Sequence, residues 1–161
     1  MDERQDALRG HLVELLEGGH AHLDFEAAIA GLPPGFRGAR PPGLSHTPWR
    51  LVEHIRLAQR DILGFSTDPG HVSPEFPAGY WPGGDAPPDP GAWDQAIAAF
   101  RADLDAMVRL VADPAVDLFA AIPHGQGQTI LREALVVADH NAYHLGQLVA
   151  VRKLLGAWDG A

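Results

Sequence analysis

The chain of 161 residues contains no cysteine. Disulfide bonds and thiolate ligands from its own side chains are therefore excluded, and any thiol has to arrive with a small molecule. Positive charge is also scarce, because 12 Lys and Arg oppose 21 Asp and Glu and give a formal net charge of −9. This balance argues against nucleic acid and against an anionic membrane surface as partners, since both are recognised by basic patches.

Long apolar runs are missing as well, and we expect no signal peptide. No run approaches the roughly 20 apolar residues that are needed to cross a bilayer. Residues 1–20 are amphipathic and lack the basic and apolar regions of a signal peptide. We therefore expect a cytoplasmic protein without a membrane partner. The length and a hydrophobic content of 46% predict a single globular domain over residues 1–161.

Strand signals are weak, and we find no convincing alternating run of β-branched residues. Helical patterns cover four segments instead: about 3–31 with a bend at Gly18-Gly19, Thr47 to about Phe65, a segment that starts at Asp89-Pro90, and about 129–155. The sequence predicts an all-α protein, an antiparallel four-helix bundle.

A long Pro/Gly-rich loop, about 66–88, joins the second and third predicted helices. Loops of this length often act as lids or binding loops. It carries Phe76, Tyr80 and Trp81. Two interpretations stay open: the aromatic side chains cover one end of the core, or they face a substrate.

Three histidines form the main candidate site. His140 and His144 lie four residues apart in a helical pattern, so about 6 Å separates them along one face. His54 lies on the apolar face of the second predicted helix. Burying each imidazole without a partner would cost about 1–3 kcal/mol, whereas one shared metal ion satisfies all three. Three protein ligands leave a coordination position for water or substrate, as in catalytic sites. The alternative is a set of core histidines with other partners.

Further candidates lie around this trio. His22 and Glu26 lie four residues apart and share a helical stripe. One interpretation is that they approach the metal, orient a ligand or bind substrate. The other is that they form a simple hydrogen-bonded pair. Gln147 lies near the line of the histidines. Glu26, Asp61 and Glu133 are candidates for a catalytic base. The other histidines in helical or loop positions are assigned to the surface: His11, His46, His71 and His124.

The last helix is apolar on two sides, which predicts that one side packs against a second subunit of a homodimer.

The segments LVEHIRLAQRDIL and ADHNAYHLGQL, with their histidines in this order, resemble the DinB-like superfamily of metal-binding proteins. That superfamily includes bacillithiol transferases and mycothiol-dependent isomerases. The resemblance implies a down-up-up-down four-helix bundle, frequent dimerisation, and a divalent ion such as zinc or nickel held by His54, His140 and His144. Characterised members use the metal to lower the pKa of a low-molecular-weight thiol and to present it as a nucleophile.

The leading hypothesis is therefore a metal-dependent enzyme of the thiol S-transferase or hydrolase type that acts on a small molecule, with a low-molecular-weight thiol as a possible cosubstrate. Tyr80 and Trp81 would then support the ligands or line the substrate pocket, together with His22, Glu26 and Gln147. One alternative is a non-catalytic metal-binding or stress-response dimer, in which Glu26 or His22 closes the fourth position. A third is a helical dimer whose histidines are only core residues.

Overall fold

The computed structural model describes residues 3–158, and all regular structure in this range is helical. Its helices are α1 (Glu3–Glu17), α2 (Phe25–Ile29), α3 (Pro48–Thr67), α4 (Ala92–Ala112) and α5 (Ile130–Leu154), with single 3₁₀ turns at Pro34–Phe36 and Ala78–Tyr80. These described residues contain no β-strand, only one isolated antiparallel bridge between Ala121 and Thr129. The all-α prediction is confirmed.

The prediction of one helix over residues 3–31 is wrong. Helix α1 ends at Glu17, and the next helical turn begins only at Phe25. Gly18 and Gly19 have φ angles of 74° and 84°, in the left-handed region that ends a right-handed helix. Asp24 then caps α2, because its side chain accepts a hydrogen bond from the Ala27 N–H. Two glycines in succession therefore break the helix, and the helical phase is lost between α1 and α2.

Threonine caps start two of the long helices. The Thr47 hydroxyl accepts from the Arg50 N–H at the start of α3, in agreement with the predicted start of this helix at Thr47. Thr129 accepts from the Arg132 N–H in the same way at the start of α5.

Helix α4 starts later than the Asp89-Pro90 signal predicts. Its first residue is Ala92. The Asp89 carboxylate accepts from the Gly91 N–H, at 2.8 Å, and this local turn delays the helix.

Helix α3 packs along both α4 and α5, and α1 packs against the same two helices. Two groups of buried apolar side chains fill the interior. The first group lies among α2, α3, α4 and the later part of α5, and its largest members are Phe25, Trp49, Leu51, Ile55, Trp93, Phe100 and Leu148. The second lies among α1, the end of α4 and the start of α5, and includes Leu12, Leu16, Met107, Val111, Leu118, Ile130 and Val137. None of the described helices has the length and apolar character needed to span a membrane.

Residues 68–91 connect α3 to α4, and side chains near the start of α3 fasten this connection to the helix. The Thr47 hydroxyl donates to the Asp85 carbonyl at 2.6 Å. The Arg50 guanidinium donates to the Pro82 carbonyl at 3.2 Å and lies 3.7 Å from the Asp85 carboxylate. The connection is thereby held over the first turns of α3, where His54 lies.

Candidate metal centre

The structure brings His54, His140 and His144 together. His54 Nε2 lies 3.1 Å from His144 Nε2 and 3.1 Å from His140 Nε2. One ligand nitrogen from each ring lies within 4.8 Å of the others, and in the described part of the chain no other group of three histidine or carboxylate side chains comes together in this way. His54 and His144 are buried, with 9% and 8% of their surface exposed, and His140 is half-buried.

In two of the rings, the hydrogen bond made by the outer nitrogen, Nδ1, determines which nitrogen carries the proton. His54 Nδ1 lies 2.7 Å from the Tyr80 carbonyl oxygen, which only accepts hydrogen bonds, so this nitrogen carries the proton. His144 Nδ1 lies 2.8 Å from the Gln147 side-chain oxygen and donates to it. A neutral imidazole has one N–H, and both Nε2 atoms therefore direct lone pairs towards each other.

This arrangement fits a divalent metal ion. Two lone pairs 3.1 Å apart repel each other unless a cation or a proton lies between them. Two nitrogens bound to one tetrahedral zinc ion, at the usual zinc–nitrogen bond length, lie about 3.3 Å apart, close to this separation. Each outer N–H already has an acceptor at His54 and His144, as is typical of metal-binding histidines.

The protonation of the trio favours the same conclusion. Burial, together with the neighbouring His144 and His54, lowers the pKa of His140 to about 4. Burial also lowers the pKa values of His54 and His144, although their hydrogen bonds to Tyr80 and Gln147 act in the opposite direction. All three rings are therefore neutral at pH 7, the form that binds metal ions.

Tyr80 and Trp81 of the connection cover His54. The Trp81 ring stacks on the His54 ring with centroids 3.8 Å apart and an angle of 2° between the planes. The His46 ring also stacks on the Trp81 ring, with centroids 4.3 Å apart. The Trp81 indole therefore stacks with two imidazoles, those of His54 and His46. Phe76, in contrast, is 84% exposed. Sequence reasoning missed His46, whose only signal was its position directly before the cap of α3.

Asp61 approaches the site only through Tyr80. One carboxylate oxygen accepts from the Tyr80 hydroxyl at 2.6 Å, and the other lies 2.7 Å from His71 Nε2. Burial raises the pKa of Asp61, but the hydrogen bonds from His71, Tyr80 and Ser73 together outweigh that effect and hold it below its usual value. Burial and the Asp61 carboxylate raise the pKa of Tyr80 to about 12, so its hydroxyl remains a donor. His71, assigned to the surface from sequence, holds the connection to α3.

The structure places the remaining candidates elsewhere. The Glu26 carboxylate forms a two-point ion pair with Arg101 at 2.5 and 2.7 Å, in which both side chains are 54% exposed. His22 is exposed, and its Nδ1 donates to the Leu23 carbonyl at 2.9 Å. The break between α1 and α2 changes the direction in which both side chains project. Buried Glu133 binds Arg132 at 2.6 Å.

Of the three candidate ligands, His140 is the most exposed. Tyr143, which is 64% exposed, lies edge-on to His144 with ring centroids 4.9 Å apart. The Trp81 ring lies against His54 and edge-on to His144. A small molecule that reaches the histidines therefore meets aromatic side chains.

The fold and the site define an all-helical protein with a three-histidine centre whose geometry suits a divalent ion. The family model described as the DinB superfamily matches residues 20–148, a range that includes all three histidines. The chain belongs to the DinB superfamily. No curated protein and no solved structure matches the chain significantly.

Proposed function

We propose that this protein is a metal-dependent enzyme of the thiol S-transferase or hydrolase type, in which His54, His140 and His144 hold one divalent ion, zinc or nickel. The convergence of three neutral imidazoles on one point carries this proposal. A bound divalent ion supplies Lewis acidity and lowers the pKa of an adjacent water or thiol. Because the protein contains no cysteine, a thiol nucleophile would come from a cosubstrate.

Each residue of the site has a defined role in this proposal. Gln147 orients His144 and the Tyr80 carbonyl orients His54, so that both Nε2 atoms face the centre. Trp81 excludes water from one face of His54. The half-buried side of His140 admits the small-molecule substrate. No residue is assigned as the catalytic base.

The alternative of a non-catalytic metal protein predicts a fourth protein ligand. Glu26 and His22, the candidates for that position, do not join the group of ligand atoms formed by the trio. The Glu26 carboxylate binds Arg101, and His22 is exposed. This geometry supports an open position, which favours the enzyme.

We also propose the family's bundle and dimer for this chain. The four long helices α1, α3, α4 and α5 would form the down-up-up-down bundle, in keeping with the packing of α3 and α1 against α4 and α5. A second copy of the chain would cover the outer side of α5, where Leu135 is 44% exposed. Sedimentation of the wild type and of Leu135→Glu tests this, because a dimer should become a monomer in the variant.

Activity is tested on untagged protein reconstituted with zinc or nickel. A chromogenic acetate ester probes hydrolysis, and a chloronitrobenzene together with L-cysteine or another small thiol probes S-transfer. We expect turnover that is lost in His144→Ala and retained in the matched control Glu26→Gln, whose side chain lies outside the trio. Metal-loaded protein with no turnover in either assay would contradict the proposed reaction classes and favour the non-catalytic alternative.

A further inference from the structure

Tyr80 contacts α3 at two points that are two helical turns apart. Its backbone carbonyl accepts from His54 Nδ1 at 2.7 Å, and its side-chain hydroxyl donates to the Asp61 carboxylate at 2.6 Å. His54 and Asp61 are seven residues apart on α3, about 10 Å along one face. Tyr80 therefore links His54, a candidate metal ligand, to Asp61, an acid that lies outside the group of candidate ligands.

The Asp61 end of this link is firmly held. A hydrogen bond from a hydroxyl to a carboxylate is among the stronger kinds, and the observed 2.6 Å is short. The second carboxylate oxygen binds His71, which belongs to the same connection. The Asp61 side chain is only 13% exposed, so water competes weakly for these hydrogen bonds.

The position of the Tyr80 carbonyl matters because it fixes the protonated nitrogen of His54. If the carbonyl moved away, either nitrogen of the imidazole would be free to carry the proton, and Nε2 would be a lone-pair donor for only part of the time. The adjacent Trp81 ring would lose its stacked position on His54 at the same time. Correct presentation of His54 therefore depends on the segment that contains Tyr80.

We propose that Asp61 is a positioning residue of the metal centre: through the Tyr80 hydroxyl it holds the Tyr80 carbonyl on His54 and so fixes the imidazole with Nε2 free to bind metal. This inference rests on the proposed function for the presence of a metal ion. The hydrogen bonds that connect Asp61 through Tyr80 to His54 exist without a bound metal. It assigns Asp61 a task other than that of a catalytic base, because both of its oxygens are already bound.

Two substitutions test the link. Tyr80→Phe removes the hydroxyl and keeps the backbone carbonyl and the ring, while Asp61→Ala removes the acceptor. Asp61→Asn is the conservative variant, since its amide oxygen still accepts from the hydroxyl. Zinc affinity is measured by competition with a chromophoric chelator. We expect Kd to rise about 10-fold in Tyr80→Phe and in Asp61→Ala, the low end of the range for groups that support metal ligands, and to recover largely in Asp61→Asn.

The double variant Tyr80→Phe/Asp61→Ala should bind zinc no more weakly than either single variant, because both changes break the same link. Urea unfolding of each metal-free variant, together with Glu26→Gln as a matched surface control, separates a loss of overall stability from a loss of zinc affinity. A Kd within twofold of the wild type in both single variants would overturn the proposal.

A second readout needs no metal. Nitrogen NMR of the imidazoles in the metal-free protein reports which nitrogen of His54 carries the proton. We expect protonated Nδ1 in the wild type and a mixture of the two forms in Tyr80→Phe. If the wild type binds no zinc, the proposed function is wrong. These spectra alone would then test whether Tyr80 fixes the protonated nitrogen of His54. Unchanged protonation in Tyr80→Phe would overturn the proposed link.

Discussion

The metal-free protein should lose stability between pH 7 and pH 5, and His140 should account for a measurable part of that loss. The pKa of His140 is about 4 in the folded protein, because burial and the two neighbouring histidines disfavour its charged form, against an ordinary value of 6.5. As the pH falls, His140 therefore takes up a proton in the unfolded state before it does so in the folded state. The contribution of the neutral ring is complete above about pH 6.5 and is lost as the pH falls towards 4.

The size of the effect follows from linkage. Complete linkage for this shift would cost about 2 kcal/mol between pH 7 and pH 5, and solvent screening at a half-buried ring reduces this to about 1 kcal/mol. In a protein of this length, that corresponds to a decrease in Tm of about 2–4 °C. Lower pKa values of His54 and His144 add to the loss in the same direction.

The assay is urea unfolding in the presence of a chelator at both pH values, for the wild type and for His140→Gln. The variant has no titrating group at this position and should lose about 1 kcal/mol less than the wild type. His11→Gln, which removes an imidazole that is 79% exposed, is the matched control for the loss of one histidine. Equal losses in the wild type and in His140→Gln would refute the argument that the buried ring is held neutral.

Three further substitutions have defined expectations. Gln147→Leu removes the acceptor of the His144 Nδ1–H, so zinc affinity measured by chelator competition should fall about 10-fold to 100-fold, and an unchanged Kd would contradict this role. Leu148→Ala empties a fully buried position and should lower the free energy of unfolding in urea by about 2–5 kcal/mol; a loss below about 1 kcal/mol would show that the site is not close-packed. Glu26→Gln weakens an exposed ion pair with Arg101 and should change stability by less than about 1 kcal/mol, with no effect on zinc affinity.

The helical content and the histidine trio could be predicted because both depend on local spacing. His140 and His144 share a face of any helix that contains them, and Thr47 followed by proline marks a helix start wherever it occurs. Placing His54 beside them rested on its apolar helix face and on the family pattern, since no local rule brings α3 against α5. Family membership, inferred from the two histidine segments, is confirmed.

The parts that sequence could not give depend on the path of the irregular segments. A helical stripe through Gly18 and Gly19 suggested that His22 and Glu26 lie with the core residues of α1, but two left-handed residues end that helix. The pairing of Asp61 with Tyr80 depends on how a 24-residue connection folds back over α3, which no periodicity describes.

The central claim is that His54, His140 and His144 hold one metal ion, and elemental analysis of untagged protein tests it most directly. We expect about one equivalent of metal per chain in the wild type and its loss in both His140→Ala and His144→Ala. No metal in the wild type, even after reconstitution with zinc or nickel, would contradict the claim and leave the three imidazoles as core residues of a helical protein.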